Sequence, residues 1–346
     1  MTLDGPAVTV LTPVFNGGRF LRSAIESVLR QTFADFELLV IDDGSTDGSA
    51  DIVRSFSDPR IRLLQLPTNK GLVFAVNLGL REARAPLVAR LDADDLAMPE
   101  RLERQLAFLD ANPPIAVVGS WVALIDETDR AFMTSKFPVA PQEIYRALLV
   151  QNCLNHSCAT FRKAAVESVG GYRALSAGHP EDYDLWLRLA ERFELANLPE
   201  VLGCYRIHPA QITQRNYVRQ RAAGNTLRYA AAVERHRLGR LDNPVPYAPP
   251  GLLTRLRGEE STSGSDCIGW SQVYRTMGRP GSALGFSVRA CVRSPLTLRS
   301  WKAALLALLD ALVPRRVRQS LAWYTVRLRS ALGSKQSAPP SRDRIA

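Results

Sequence analysis

Short apolar runs alternate with amphipathic segments from residue 8 to about residue 110. The runs are rich in Val, Ile and Leu and end at turn-forming Pro, Asp or Gly, which is typical of strands. They lie at residues 8–11, 37–41, 61–66 and 86–91. Apolar residues recur at helical spacing in between, which predicts helices over residues 20–29, up to residue 53, over residues 71–83 and from Pro99 onward. The pattern therefore predicts four consecutive strand–helix units.

This alternation predicts an α/β fold with a mostly parallel central sheet and helices on both faces. The predicted strands are apolar along most of their length, as expected where neither face of a sheet meets water. Ligands of such sheets bind beyond the carboxyl ends of the strands. The polar loops 13–18, 42–47 and 92–95 follow three of these strands, so we expect them to gather on one rim.

The composition changes near residue 212. Residues 1–210 carry 21 Lys and Arg against 27 Asp and Glu, a net charge of −6, whereas the rest of the chain carries 23 against 7, a net charge of +16. An Arg-rich helical sequence follows, with a Pro/Gly/Ser-rich linker near 243–265. We predict an α/β domain over residues 1–215, a helical C-terminal region over 216–333 and a disordered tail over 334–346.

Cysteine spacing and apolar segments suggest where the protein resides. The five cysteines form no C-x-x-C pair, which disfavours a disulfide framework and a zinc ribbon. The first residues lack the basic segment and long apolar core of a signal peptide. The longest apolar stretch, residues 303–313, is much shorter than the ~20 residues of a membrane-spanning helix. These features predict a cytoplasmic protein without a transmembrane helix.

An acidic cluster, Asp92-Ala93-Asp94-Asp95, directly follows the fourth predicted strand. Carboxylate oxygens suit Mg²⁺ or Mn²⁺, which bind through one or two carboxylates together with substrate phosphates. In an extended segment, Asp92 and Asp94 would face one ligand while Asp95 turns toward the protein. A solvated acidic turn capping the next helix explains the same residues, so the cluster by itself leaves both interpretations open.

Six polar motifs occur in order along the first part of the chain. They are PVFN at 13–16, IDDGSTD at 41–47, NKG at 69–71, LDADD at 91–95, EDYDLW at 181–186 and YRIH at 205–208. Their ordered combination resembles the family-2 glycosyltransferases of the nucleotide-diphospho-sugar transferase (GT-A) fold. The resemblance covers roughly residues 8–215 and implies that the domain predicted over 1–215 is catalytic.

The resemblance implies an inverting, metal-dependent glycosyltransferase in surface polysaccharide or glycoconjugate synthesis. It would move one sugar from a nucleotide-diphosphate sugar, with UDP or dTDP favoured, to a hydroxyl of a glycan or lipid-linked acceptor. Its cofactor would be Mg²⁺ or Mn²⁺. The Gln-x-x-Arg-Trp motif of processive synthases is not supplied by residues 211–216, which favours single-residue addition. The alternative is a non-catalytic nucleotide-sugar-binding or scaffold protein on the same fold.

On the donor side, the resemblance assigns Pro13, Phe15 and Asn16 to the loop that borders the base and ribose. Phe15 stands where the family more often has tyrosine. Asp43 resembles the carboxylate that accepts a hydrogen bond from N3–H of uracil or thymine, and since a carboxylate only accepts, it would disfavour cytosine. Asp43 also fits an N-cap of the next helix, a role for which neighbouring polar residues compete.

Three further residues hold positions that line the nucleotide pocket in the family: Asn69, Gly71 and Arg90. Arg90 fits a structural ion pair with Asp92 or Asp95 equally well. Both interpretations of Arg90 stay open at the level of the sequence.

Asp94 resembles the metal ligand of the family, and Asp92 the residue that holds the ribose, the metal or a metal-bound water. The metal would neutralise the diphosphate as it leaves. His208 stands where related enzymes place a ligand of the metal or the diphosphate. A lone histidine is more often an ordinary surface or core residue, which is the alternative for His208.

Asp182 resembles the general base that takes the proton of the acceptor hydroxyl. Pro180 suits the first turn of a helix, which would place Asp182 near the positive end of the helix dipole and lower its pKa. The alternative is that Glu181 and Asp182 only complement that dipole. His156 and His179 are predicted to flank the acceptor side.

Arginines cluster around the apolar segments 305–313 and 321–326. The cluster consists of Arg315, Arg316, Arg318, Arg327 and Arg329. It predicts either peripheral contact with an anionic cytoplasmic membrane face or a solvated helix pair packed on the catalytic domain. The basic sequence lacks interleaved aromatic residues, so we predict no nucleic-acid partner.

Overall fold

The structure is a computed structural model that describes residues 5–174, 180–209, 211 and 217–242, with 284, 288, 291, 301–302 and 304–308. The predicted linker near 243–265, the arginine cluster of 315–329, the tail 334–346 and His179 lie outside these residues. The chain divides into two compact units, Met1–Glu260 and Ser261–Ala346. All elements named below belong to the first unit, and the domain boundaries proposed from the sequence stay predictions.

Within the described residues, nine strands form one sheet. They are β1 (Val8–Val14), β2 (Phe36–Asp42), β3 (Ile61–Gln65), β4 (Leu87–Arg90), β5 (Leu96–Ala97), β6 (Ile115–Ile125), β7 (Ala131–Ser135), β8 (Thr160–Arg162) and β9 (Glu194–Arg206). The strand order is β3-β2-β1-β4-β8-β6-β9-β5, and β7 pairs with β6. β1 to β4 run parallel, β8 runs antiparallel between β4 and β6, and β9 runs parallel to β6. The predicted α/β class is confirmed, and the four predicted strands form the parallel part of a mixed sheet.

Helices connect and cover the strands. They are α1 (Gly18–Leu29), α2 (Ser49–Arg54), α3 (Leu72–Glu82), α4 (Arg101–Ala111), α5 (Pro141–Ala147), α6 (Lys163–Ser168), α7 (Glu181–Ala190) and α8 (Tyr217–Arg237). A short 3₁₀ turn, His156–Cys158, precedes β8. The four helices predicted between residues 20 and 109 correspond to α1 to α4.

The side chains of β2 point alternately into two hydrophobic cores, which shows that both faces of the sheet are covered. Consecutive side chains of a strand point to opposite faces. Leu38 and Val40 belong to a core that includes residues of α1 and α4. Leu39 and Ile41 belong to a second core that includes residues of α3 and α7. Helices therefore lie on both faces, as the sequence predicted.

Helix α8 packs on the same unit through one stripe. Gly224, Leu227, Ala231 and Arg235 recur at helical spacing, and each is buried or partly buried. Leu227 and Ala231 pack against the core that includes α7. In the part of the chain that the structure describes, no helix is both long and apolar enough to cross a bilayer.

Candidate active site

The loops after β1 and β2 are hydrogen-bonded to each other at the rim. Asn16 has a left-handed backbone with φ 52°, which Asn tolerates better than most residues. Its N–H donates to Ser45 Oγ at 3.0 Å, and the N–H of Thr46 donates to Asn16 Oδ1 at 2.9 Å. Phe15 is 49% exposed, whereas Pro13 is buried within β1. The loop therefore presents the Phe15 ring at the rim.

Asp43 follows β2 directly, and its buried carboxylate organises the turn before α3. The N–H of Lys70 donates to Oδ1 at 2.7 Å and the N–H of Gly71 donates to Oδ2 at 2.8 Å. Asn69 is exposed in the same turn. The N-cap alternative for Asp43 is wrong, because Gly48 occupies the position before α2. Each carboxylate oxygen has a second lone pair, so Asp43 retains acceptor capacity for a ligand.

The two turns approach closely at Gly44. This residue has φ 73°, and a Cβ built on it would lie 2.6 Å from the carbonyl carbon of Thr68. A side chain would therefore push the turns apart, and glycine lets their backbones meet. The approach places the segment around Asn69 against the loop that follows β2, so these two predicted nucleotide-binding segments are neighbours.

Arg90 ends β4 and forms the ion pair that the sequence left open. Its Nη2 donates to Asp92 Oδ1 at 2.5 Å, and its Nη1 donates to the carbonyls of Leu11 and Leu91. Its Nε donates to His156 Nε2 at 3.2 Å. The Arg90 side chain has no exposed surface, whereas 33% of the Asp92 side chain is exposed. Arg90 therefore holds Asp92 from beneath, and Asp92 is the residue of this pair that a ligand can reach.

Asp94 and His208, two of the predicted metal ligands, lie side by side. His208 Nε2 is 2.9 Å from Asp94 Oδ2, and the His208 ring packs on Phe20 with 5.0 Å between ring centres. Carboxylate oxygen and imidazole nitrogen both ligate metals. In the described part of the chain, no three His, Cys, Asp or Glu side chains are arranged to hold a metal by themselves. The pair fits a Mg²⁺ or Mn²⁺ ion whose remaining ligands come from phosphate oxygens and water.

Arg206, the last residue of β9, supports the acidic loop from the protein side. Its N–H donates to Asp95 Oδ1 at 2.7 Å, and its Nε donates to the carbonyl oxygen of Asp94 at 2.6 Å. Its guanidinium lies 4.4 Å from the centre of the Phe20 ring. Asp95 is buried, as expected, and burial together with the charges of Asp94 and Asp92 raises the pKa of Asp95. Asp95 and Arg206 thus shape the loop.

Asp182 lies in the first turn of α7, two residues after Pro180. Its Oδ1 accepts the N–H of Tyr183 at 2.7 Å, and its Oδ2 accepts Nδ2 of Asn152 at 2.8 Å. Burial raises the pKa of Asp182 to about 6, against the lowering effect of these hydrogen bonds, and the charge of Asp92 raises it as well. The prediction that the helix N-terminus lowers the pKa of Asp182 is wrong, because desolvation outweighs the effect of the helix dipole. A pKa near neutrality suits a general base.

His156 connects the donor and acceptor sides below the surface. Tyr172 Oη lies 2.8 Å from His156 Nε2, and Arg90 Nε donates to the same nitrogen. Because Arg90 only donates, Nε2 is unprotonated and Nδ1 carries the proton, 3.9 Å from Glu181 Oε1. Burial and the charge of Arg90 lower the pKa of His156 to about 3, while burial and the charge of Asp182 raise the pKa of Glu181 to about 8. His156 is therefore a neutral, buried connector.

Two residues with contacts to the site were not predicted as site residues. Asn152 lies in the segment 151–162, whose spacing does not distinguish it from other polar residues. Arg206 belongs to the YRIH motif, so the motif points to it although its buried role does not follow from the sequence. The structure brings together Asp92, Asp94 and His208 with their supports, and it places Asp182 within electrostatic range of Asp92.

Comparison with known proteins extends these findings. The family described as Glycosyl transferase family 2 matches residues 9–170. The putative glycosyltransferase EpsE of Bacillus subtilis is 36% identical over 58% of this chain and 72% of its own length. The Escherichia coli enzyme WfgD, a UDP-Glc:alpha-D-GlcNAc-diphosphoundecaprenol beta-1,3-glucosyltransferase, is 30% identical over 62% of this chain and 83% of its own length. The similarity extends over most of each relative.

Solved structures agree on the fold. The mannosyltransferase PcManGT from Pyrobaculum calidifontis, in complex with GDP-Man and Mn²⁺, superposes with a TM-score of 0.51 at 20% identity. The superposition covers 95% of this chain and 86% of that protein. At this identity the likeness concerns the arrangement of strands and helices.

Proposed function

This chain belongs to glycosyl transferase family 2, and from that membership we propose that it transfers one sugar from a UDP- or dTDP-linked donor to a hydroxyl of a glycan or lipid-linked acceptor, with inversion. One observation carries the proposal. The Asp94–His208 pair and Asp92 at the end of β4 share a site with Asp182 at the start of α7, near enough for the charge of Asp92 to raise the pKa of Asp182. A diphosphate-binding group and a base are thereby combined.

Asp43 and Phe15 are the ground on which we propose uracil or thymine as the base of the donor nucleotide. The carboxylate of Asp43 retains lone pairs after accepting two backbone N–H groups, and it would accept N3–H of uracil or thymine. The exposed ring of Phe15 provides a surface on which a base can stack. The relative WfgD is named for a UDP-Glc donor, which agrees with this choice. Asn16, Asn69 and Gly71 would complete the wall of the nucleotide pocket.

The base would be Asp182. Its carboxylate accepts the proton of the acceptor hydroxyl while the hydroxyl oxygen forms a bond to the anomeric carbon. The bond between that carbon and the diphosphate oxygen breaks on the opposite side, and its electron pair stays on the diphosphate. Because attack and departure occur on opposite faces in a single displacement, the configuration inverts. Asn152 and the N–H of Tyr183 orient the carboxylate for this step.

Asp94 and His208 would hold Mg²⁺ or Mn²⁺, with Asp92 nearby to bind the ribose, the metal or a water on the metal. When bound, the ion would supply positive charge to the departing diphosphate. Arg90 and Arg206 keep the two aspartates in place. The fit rests on the donor set, one carboxylate and one imidazole, together with the phosphate oxygens of a substrate.

The acceptor and its location are proposed on a separate ground. WfgD is named for an acceptor linked to diphosphoundecaprenol, and a lipid-linked acceptor of this kind would serve surface polysaccharide or glycoconjugate synthesis. Such an acceptor would bring the enzyme to the cytoplasmic membrane face. The arginine cluster predicted to contact that face lies outside the described residues.

The test of the base is Asp182→Asn, assayed for transfer and for UDP binding by calorimetry. We expect the turnover rate kcat to fall by about 10²–10⁴-fold, the range for losing a general base, with UDP affinity nearly unchanged. Glu194→Gln, an exposed acid just after the same helix, is the control and should retain full activity. Full activity of Asp182→Asn would remove Asp182 from this role.

The same calorimetry decides between the enzyme and the scaffold alternative. An enzyme of the proposed kind binds UDP more tightly with Mn²⁺ than without it. The scaffold alternative would be favoured by two results together: a UDP affinity that is the same with and without Mn²⁺, and no transfer activity with UDP-, dTDP- or GDP-sugars. The three proteins compared above are named as a glycosyltransferase, a glucosyltransferase and a mannosyltransferase. None of these names supports the scaffold alternative.

A further inference from the structure

The hydrogen bond between Asn152 and Asp182 joins two separate pieces of the chain. Asp182 belongs to α7, and Asn152 belongs to the loop that follows α5. Asn152 Nδ2 donates to Asp182 Oδ2 at 2.8 Å. The orientation of the carboxylate therefore depends on how firmly the loop and α7 are held together.

Helix α8 contacts the loop side of this bond. Arg228 Nη1 donates to the carbonyl oxygen of Val150, two residues before Asn152. Arg235, fully buried, donates from Nη1 to the carbonyl oxygen of Tyr145 at 2.6 Å, and its guanidinium lies 3.6 Å from the centre of the Tyr145 ring. Two arginines of α8 thus bind main-chain oxygens on both sides of the turn that ends α5.

The same helix contacts α7. Arg235 Nε donates to Glu191 Oε1 at 2.6 Å, just after the last residue of α7. At the first turn of α7, a Cβ on Gly224 would lie 3.5 Å from ring carbons of Tyr183, so the α8 backbone passes close to that ring. Tyr183 Oη in turn donates to the carbonyl oxygen of Leu148 at 2.5 Å. The residue next to Asp182 is therefore packed between α8 and the loop.

We propose that α8 is a clamp that fixes the loop carrying Asn152 against α7, and that Arg228 is a positioning residue for the general base. The inference rests on the proposed role of Asp182. Arg228 acts on Asp182 through the carbonyl oxygen of Val150 and the loop that carries Asn152. Helix α8, like Asp182 itself, lies beyond residues 9–170, which match the family model.

The groups that face Asp182 determine what the pH profile reports. They are Asp92 after β4, Glu181 on its own helix, Tyr172 after α6 and the amide of Asn152. The charge of Arg228 bears on Tyr183, the neighbour of Asp182. If Arg228 is removed and the loop loosens, Asp182 loses the amide donor that lowers its pKa. The acid limb of the kcat profile should then move to higher pH.

The experiment compares Arg228→Ala with Arg237→Ala in the full-length protein. Arg237 is an exposed arginine on the same helix that pairs with Glu234, so it is a matched control. We expect Arg228→Ala to lower kcat by about tenfold to a hundredfold, the scale of a misplaced catalytic group, with little change in the donor KM. Arg228→Lys keeps a cationic donor near Val150 and should recover most of the loss. Arg237→Ala should match the wild type.

A double-mutant cycle with Asn152→Ala completes the test. If Arg228 acts through Asn152, Asn152→Ala should lower kcat similarly, and the double variant should be no worse than either single variant. Three results would overturn the clamp: Arg228→Ala with the kcat of Arg237→Ala, additive losses, or a lower kcat without movement of the acid limb. Asp182→Asn separates the two proposals. An active Asp182→Asn protein refutes the base itself, whereas an inactive one with an unaffected Arg228→Ala refutes the clamp alone.

Discussion

The donor side and the acceptor side of the site are built by different means. On the donor side, Asp43 and Asp92 sit within two residues of the ends of β2 and β4, so the sheet fixes their positions. On the acceptor side, Asp182 lies at the start of a helix and depends on Asn152 for its orientation. In the first arrangement, the ends of strands set where the aspartates lie. In the second, a hydrogen bond between two side chains orients the carboxylate.

The difference extends to electrostatics. Asp92 is one-third exposed and forms an ion pair with the buried guanidinium of Arg90. Asp182 has no such partner among its hydrogen bonds, which come from an amide and a main-chain N–H. Burial therefore raises the pKa of Asp182 to about 6. In the proposed mechanism, the donor side would stabilise the charge that arrives with the substrate, and the acceptor side would keep a carboxylate reactive.

The largest effect expected on the donor side comes from losing the charge of Asp94. Asp94→Asn removes the charged oxygen beside His208, and we expect kcat/KM to fall about 10²–10³-fold, the scale of losing one group that stabilises transition-state charge. The Mn²⁺-dependent gain in UDP affinity should disappear in calorimetry. Asp110→Asn, an exposed position on α4, is the control. Retention of that gain by Asp94→Asn would show that the ion binds elsewhere.

The next effect would test the acceptor side through pH. Because the raised pKa of Asp182 lies at about 6, the carboxylate becomes protonated as pH falls through that value and can no longer accept a proton. We expect kcat to drop by about tenfold per unit below pH 6 and to level off above it. Stopped assays between pH 4.5 and 8 measure this, with circular dichroism confirming that the fold persists.

Glu181 belongs in the interpretation of that profile. Burial and the charge of Asp182 raise the pKa of Glu181 to about 8, so between about pH 6 and 8 the neighbouring pair carries its charge on Asp182. A profile that stays flat down to pH 4.5 would contradict a base of raised pKa at this position.

The smallest expected effect sharpens the comparison at Asp43. In Asp43→Asn, one of the two N–H groups from Lys70 and Gly71 loses its acceptor, and the uracil or thymine base of the donor loses a charged partner. We expect the donor KM to rise by about tenfold, with a smaller change in kcat. Initial-rate kinetics against Asp35→Asn, an exposed site before β2, measure it. An unchanged donor KM would show that the uracil or thymine base of the donor binds elsewhere.

Most of the donor side could be predicted because the ends of the strands can be recognised in the sequence. The apolar runs place Asp43 and the acidic cluster at the carboxyl ends of β2 and β4, the two parallel strands that flank β1, and Pro180 marks the start of α7. Strand order then brings these loops to one rim. The extended segment predicted for residues 92–95 is wrong, because these residues form a turn in which the N–H of Asp95 donates to the carbonyl oxygen of Asp92 at 3.2 Å. The turn, and not two-residue periodicity, leaves Asp92 partly exposed and Asp95 buried.

The remainder depends on tertiary contacts that no local pattern encodes. The sequence left Arg90 open between the nucleotide pocket and an ion pair, and only the folded chain shows that it is buried against His156, beside the antiparallel strand β8. The pKa of Asp182 was predicted from the helix dipole alone, and burial reversed its direction. Asn152 lies in a loop without periodicity, so its bond to Asp182 became visible only in the folded chain.

Strand β9 has a consequence for how this enzyme can evolve. It spans Glu194–Arg206 and ends beside the acidic loop, with His208 two residues further on. Gain or loss of one residue within it would turn Arg206 away from the loop, since neighbouring strand positions face opposite ways. A change of two would restore the facing but carry His208 about 7 Å along the sheet, beyond the reach of Asp94. We therefore expect insertions and deletions within β9 to disturb the Asp94–His208 pair and to be disfavoured in the evolution of this chain.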